Sequence, residues 1–176
     1  GERHTEKEIR LETIFEKQKQ TAVLKALFES HPYEEVAYDV YSLENSYNNV
    51  GSGMIGELVE IQTETEFLQK VKIAMKAGCL RHTALIGREI KKVAICGGSG
   101  SFLLPEAIQA GAQAFISADF KYHQFFDADK KIVIADIGHF ESEQFTMELI
   151  KTLILEKFST FAVRLTEINT NPVQYM

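Results

Sequence analysis

The sequence predicts an α/β protein, with a small α+β part at the amino end and then one α/β lobe around a mostly parallel sheet. Two observations carry this. From Met54 onward, short apolar runs alternate with segments of helical period, the pattern of helices covering a largely parallel sheet. Three of those apolar runs end in polar or glycine-bearing turns, at Cys96–Ser101, Asp119–His123 and Asp136–Glu143, which brings polar groups to one rim.

Taken in order, Ile9 to Phe15 alternates, with Ile9, Leu11, Thr13 and Phe15 on one face of a half-buried strand. Thr21 to Ser30 carries Val23, Leu24, Leu27 and Phe28 at helical spacing. His31-Pro32 stops that helix, because the residue before proline disfavours the helical region. Val36–Tyr41 and Met54–Ile61 are two further strands, separated by the polar loop Leu43–Gly53. This β-α-β-β order resembles half a ferredoxin-like sandwich. A linker near Asn45–Gly53 sets a small domain at 1–52 and a lobe at 53–176.

The lobe begins with a helix over Glu64–Lys76, with Phe67, Val71 and Ile73-Ala74 inward. Strands are predicted at Thr83–Ile86, Val93–Cys96, Ala114–Ser117 and Ile132–Ala135, with helices at Leu103–Ala110 and Tyr122–Ala128. A long helix runs from His139, its apolar face formed by Phe145, Leu149, Ile150, Leu153 and Ile154, and Phe161–Leu165 is a last strand. There is no internal repeat and no low-complexity tract.

The totals exclude several classes. With 176 residues, 45% hydrophobic, the chain can bury a real core as one domain or two small ones. A net charge of −6 and no dense Lys/Arg cluster give no indication of a nucleic-acid surface. Cys79 and Cys96 are isolated thiols without CxxC spacing, which points to a reducing, cytoplasmic compartment. No apolar run approaches the roughly 20 residues that span a bilayer, and no membrane contact is expected. The opening Gly1-Glu2-Arg3-His4 is polar and lacks an initiator Met, so the chain reads as a fragment.

His139 and Glu143 stand four apart at the start of a helix, roughly 6 Å between Cβ atoms, and so project side by side. Imidazole and carboxylate together suit a divalent cation. Acidic residues at a helix start also favour the macrodipole without any metal. Gly97, Gly98 and Ser99 follow a strand and precede a helix, as an anion-binding nest or simply a tight turn. Asp119, Lys121 and His123 follow another strand, where Asp119 is either a site group or a helix cap. His31, Glu34 and Glu35 form a solvated turn or a weak metal cluster. No Gly-x-Ser-x-Gly elbow is present.

These strings together are familiar. His31-Pro32-Tyr33-Glu34-Glu35-Val36-Ala37-Tyr38-Asp39-Val40-Tyr41 resembles the inserted P-II/CutA-like domain of the NIF-three-like family, the YbgI-type dinuclear metal-centre proteins, some of which carry the name GTP cyclohydrolase I type 2. Gly53-Met54-Ile55-Gly56-Glu57-Leu58 is similar to the return segment from that insert. The segments 93–101, 118–123 and 136–143 resemble three successive motifs of the family's carboxyl-terminal half. The resemblance implies that His139 and Glu143 are two ligands of a site for two divalent ions, zinc, iron or manganese. It implies that Lys121 and His123 line the cleft as substrate groups or stand behind the ligands, and that Asp136 orients the turn or a ligand.

The family's adjacent histidines and aspartate ligand have no counterpart among His4, His31, His82, His123 and His139. With two of about four ligands, metal is expected to be weak or absent here and the fragment inactive. For the intact protein the resemblance implies a metal-dependent hydrolase acting on a nucleotide or phosphoester. The competing class is a regulatory or scaffolding homo-oligomer, trimer or hexamer, with a structural metal. Effector sensing by the insert rests on fold analogy alone.

Overall fold

Three apolar runs lying side by side set the core of this computed structural model, which describes residues 5, 7–45 and 50–176. β3 (Glu89–Ser99), β4 (Ala114–Ala118) and β5 (Val133–Asp136) pair in parallel, with Ala114 opposite both Val93 and Val133. β1 (Met54–Thr63) and β2 (Arg81–His82) close the two edges antiparallel, in the order β1-β3-β4-β5-β2. The α/β class expected from the alternation is the one observed.

Successive side chains of a strand point to opposite faces. Phe115 and Ile134 therefore meet Leu104, Ala107, Phe120 and Ile132 on one side of the sheet. Ala114, Val133 and Ala135 meet Phe67, Leu68, Val71 and Ile137 on the other. Helix α2 (Glu64–Ala74) covers that second face, started by a capping box. Thr63 Oγ1 accepts from Glu66 N, and Glu66 Oε2 accepts from Thr63 N at 3.0 Å. Helix α3 (Leu104–Gln109) and the 3-10 segment Tyr122–Ala128 lie on the first face. Burial on both sides is why β4 and β5 read as continuous apolar runs.

The chain divides into two compact units, residues 1–46 and 47–176. The expected linker includes residues 46–49, which with His4 lie outside the described residues. The first unit contains a 3-10 turn at Lys17–Lys19 and helix α1 (Gln20–Ser30), but no strand among its described residues. The two strands expected there, Ile9–Phe15 and Val36–Tyr41, are not formed, and Ile9 is 95% exposed. Alternation alone does not make a strand, since a ladder partner is needed and a lone two-stranded ribbon is marginal in water. The third strand of that expected half-sandwich, β1, spends its hydrogen bonds on β3 instead.

The second unit departs from expectation at four places, the first being Ile73 and Ala74, expected inward on α2 but exposed. Thr83–Ile86 is a loop, not a strand. Thr83 N still donates to the Ile134 carbonyl at 3.2 Å, but at the far end the buried Glu64 carboxylate accepts from Ile86 N and Gly87 N, both at 3.0 Å. Thr83 Oγ1 takes Ile134 N at 3.1 Å in place of a ladder bond. The long helix from His139 is two helices, α4 (His139–Glu143) and α5 (Thr146–Lys157), with the Gln144 side chain held at 2.7 Å by the Met75 carbonyl between them. Phe161–Leu165 forms no strand.

Candidate functional site

The site lies where β3, β4 and β5 end. β3 runs out through Gly97-Gly98-Ser99-Gly100, and hydroxyls from two other elements pin that turn. Ser117, fully buried on β4, accepts from Gly100 N at 3.0 Å and donates to the Gly98 carbonyl at 3.1 Å. Ser142 on α4 accepts from Gly98 N at 2.8 Å and donates to the His139 carbonyl at 2.7 Å. Ser117→Ala is expected to cost about 1–3 kcal/mol in urea denaturation, since two buried backbone groups lose their partner.

Gly98 has φ +62°, and a Cβ there would lie 2.5 Å from Glu143 Oε1 and 3.2 Å from His139 Cε1. The absent side chain is what lets this backbone pass under the His139–Glu143 pair. Two of the amides that a nest would offer to an anion, those of Gly98 and Gly100, are already donated to Ser142 and Ser117. Of the two readings of Gly97, Gly98 and Ser99, these bonds favour the tight turn, with the Gly98 amide already used.

β4 is followed by Asp119, a non-glycine residue in the left-handed region at φ +58°. β5 ends in Asp136, 4% exposed. Asp136 Oδ2 accepts from Phe120 N at 3.0 Å and forms an ion pair with Arg81, while Oδ1 accepts from Gly138 N at 3.2 Å. Arg81 also donates to the Phe120 carbonyl at 3.0 Å. One buried carboxylate thus ties the turn after β4 to the turn that starts α4.

On that frame three side chains form a row. Asp119 Oδ2 lies 2.6 Å from His139 Nδ1, and Glu143 Oε2 lies 3.4 Å from His139 Nε2. The hydrogen bond to Asp119 raises the imidazole above its usual value near 6.5, burial opposes it, and the Asp119 and Glu143 charges add to the rise. His139 and Glu143 stand side by side, as their spacing requires. Burial, with the Glu143 charge, pushes the Cys96 thiol up, which makes it a poor nucleophile.

Lys121 and His123 are exposed, and neither side chain hydrogen-bonds to His139 or Glu143 among the described residues. His31 Nδ1 accepts from Tyr33 N at 3.1 Å, which makes that segment a turn. Ser117, Ser142 and Arg81 are site groups that the sequence does not single out. Asp119 was legible as a polar residue at the same rim. Nothing in the sequence marks Ser117 or Arg81.

An imidazole nitrogen beside a carboxylate oxygen, in a cradle that a Cβ at Gly98 would fill, suits a divalent cation. Among the described residues, no group of three His, Cys, Asp or Glu side chains is placed to hold a metal ion. His139 and Glu143 are two donors, fewer than the roughly four that hold a divalent ion firmly.

The molecule is, by fold and site, an α/β protein with a carboxylate–imidazole–carboxylate row on one rim of its sheet. It belongs to the Duf34/NIF3 (NGG1p interacting factor 3) family, whose model matches residues 4–172. The resemblance read from the motifs is thereby confirmed. A GTP cyclohydrolase 1 type 2 homolog of Bacillus subtilis is 33% identical over 181 residues, covering 100% of this chain and 48% of that protein. One from Halalkalibacterium halodurans is 33% identical over 96% of this chain and 46% of its own length. The chain spans about half the length of the curated relatives it matches.

Among solved structures, Staphylococcus aureus protein SA1388 superposes with a TM-score of 0.72 at 25% identity, over 94% of this chain and 55% of that one. A Bacillus cereus protein related to NIF3 gives 0.64 at 31% identity, over 90% of this chain and 45% of that one.

Proposed function

We propose that this chain supplies part of the dinuclear metal site of a hydrolase acting on a nucleotide or phosphoester, of the GTP cyclohydrolase I type 2 kind. The observation that carries this is the pairing of His139 Nε2 with Glu143 Oε2 beside the Gly98 backbone. The names of the curated relatives support the reaction class. His139 and Glu143 would hold a zinc, iron or manganese ion weakly alone, and the remaining ligands of a two-ion site would come from elsewhere in the intact protein. A bound divalent ion lowers the pKa of a water and stabilises a leaving oxygen.

The chain's own residues orient and neutralise. Glu143 offers negative charge, Ser142 and Gly98 fix the first turn of α4, and Lys121, exposed nearby in sequence, is a candidate contact for an anionic substrate. Two free cysteines, Cys79 exposed and Cys96 buried, support a reducing, cytoplasmic setting. Among the described residues, no helix is long and apolar enough to cross a membrane.

The test is zinc titration by calorimetry into the full chain and Glu143→Gln, with phosphoester and nucleotide hydrolysis assayed with and without chelator. Weak binding that Glu143→Gln abolishes supports the reading. Equal binding by both chains overturns it. Zinc affinity is expected to rise with pH through the raised His139 value, above 6.5, because a proton on Nε2 competes with the cation. The folding term has the opposite sign. The imidazolium contacts stabilise the folded chain fully below the unfolded value and are lost as pH rises through the folded one.

A second reading, a scaffolding homo-oligomer, is favoured by one observation. Leu149, Ile150 and Leu153 on α5 are each about half exposed, while Ile154 and Leu155 are half-buried, so part of the helix's apolar surface is open among the described residues. Sedimentation of the full-length protein, with and without metal, separates the two. A metal-independent trimer or hexamer without hydrolysis favours the scaffold.

A further inference from the structure

We propose that Asp119 is the positioning residue of this site, binding the Nδ1–H of His139 so that the imidazole takes one tautomer and presents Nε2 beside Glu143. The use of that nitrogen by a cation rests on the reading above, whereas the tautomer assignment stands without it.

Three observations carry the assignment. The Asp119 carboxylate meets the ring nitrogen at 2.6 Å, short enough for a charge-assisted bond. It is free for this role, because the 3-10 segment after it starts beyond Lys121, whose N–H donates to Gln124 Oε1 at 2.7 Å. Asp119 does not cap that segment.

The second observation is the backbone after Asp119. Asp119 has φ +58°, a left-handed conformation that aspartate enters more readily than most side-chain-bearing residues. Phe120 is held at its N–H by Asp136 and at its carbonyl by Arg81, and its ring packs edge-on against Phe115 at 6.0 Å. The buried frame thus fixes Phe120, and the turn before it aims the carboxylate at His139.

The third is the asymmetry of the ring's two neighbours. Glu143 lies 3.4 Å from Nε2, looser than Asp119 on Nδ1. The proton of the neutral ring stays on the nitrogen whose carboxylate acceptor is nearer and stronger, here Nδ1. The neutral ring therefore keeps Nδ1–H and leaves Nε2 with its lone pair outward.

The test uses the full chain, metal-free, at a pH above the imidazole's titration. Long-range nitrogen–proton NMR correlations are expected to show His139 protonated at Nδ1. Asp119→Ala should shift it to Nε2–H, and Asp119→Asn, whose amide oxygen still accepts, should restore Nδ1–H. With zinc as the probe, Asp119→Ala should weaken affinity by roughly 10–100-fold with an unchanged melting midpoint, and Asp119→Asn should recover most of it.

An Nε2–H ring in the parent chain, or an unchanged tautomer in Asp119→Ala, overturns the proposal. So does a loss of zinc in Asp119→Asn as complete as in His139→Ala, which would make Asp119 a direct ligand. If the tautomers behave as expected but zinc binding is absent or survives His139→Ala, the positioning role stands and the cation reading fails.

Discussion

His139→Ala is expected to remove zinc binding by this chain altogether while leaving the fold in place. The loss should exceed the roughly 10–100-fold that follows removal of an outer hydrogen-bonding partner, because the imidazole is one of only two grips assigned here. The ring is about half exposed and contributes nothing to either apolar cluster. Stability should therefore change by no more than about 0.5 kcal/mol, or roughly 1–2 °C in the melting midpoint. Calorimetric titration and a circular-dichroism melt on the same preparation check both halves. Retained zinc binding would remove the imidazole from the ligand set. A large drop in midpoint would make it structural.

Asp136→Ala is the largest stability change expected at the rim. Its carboxylate is almost fully buried and satisfies two backbone amides as well as Arg81. Removing it orphans the Phe120 and Gly138 amides. Arg81 is more than half exposed and can rehydrate, which holds the cost below that of breaking a fully buried pair. About 2–3 kcal/mol is expected, a fall of roughly 5–10 °C. Asp136→Asn retains one acceptor and should cost less. Since Phe120 anchors the Asp119 turn, Asp136→Ala should also weaken zinc binding from behind the site. A midpoint unchanged within about 1 °C would show that this carboxylate is not the tie between the two turns.

The alternation of apolar runs from Met54 onward was enough to read the α/β lobe, because β4 and β5 are buried on both faces and therefore nearly all apolar. His139 and Glu143 were readable as neighbours because helical geometry fixes residues four apart, whatever surrounds them. Local pattern misled where the outcome depended on a partner. Ile9–Phe15 alternates like a strand yet has no ladder among the described residues, and at the end of Thr83–Ile86 the Ile86 amide goes to the Glu64 carboxylate instead of a neighbouring strand. The glycines after β3 looked like an anion nest, because sequence cannot show that Ser117 and Ser142 take two of those amides.

The sequence by itself determined the class of fold, the family and the imidazole–carboxylate pair, all of which depend on spacing along the chain. Only the tertiary structure decided that Asp119 reaches His139 across twenty positions and that Asp136 and Arg81 hold the turn between them. Contacts between strand ends depend on sheet order, and sheet order is set by which apolar faces find cover.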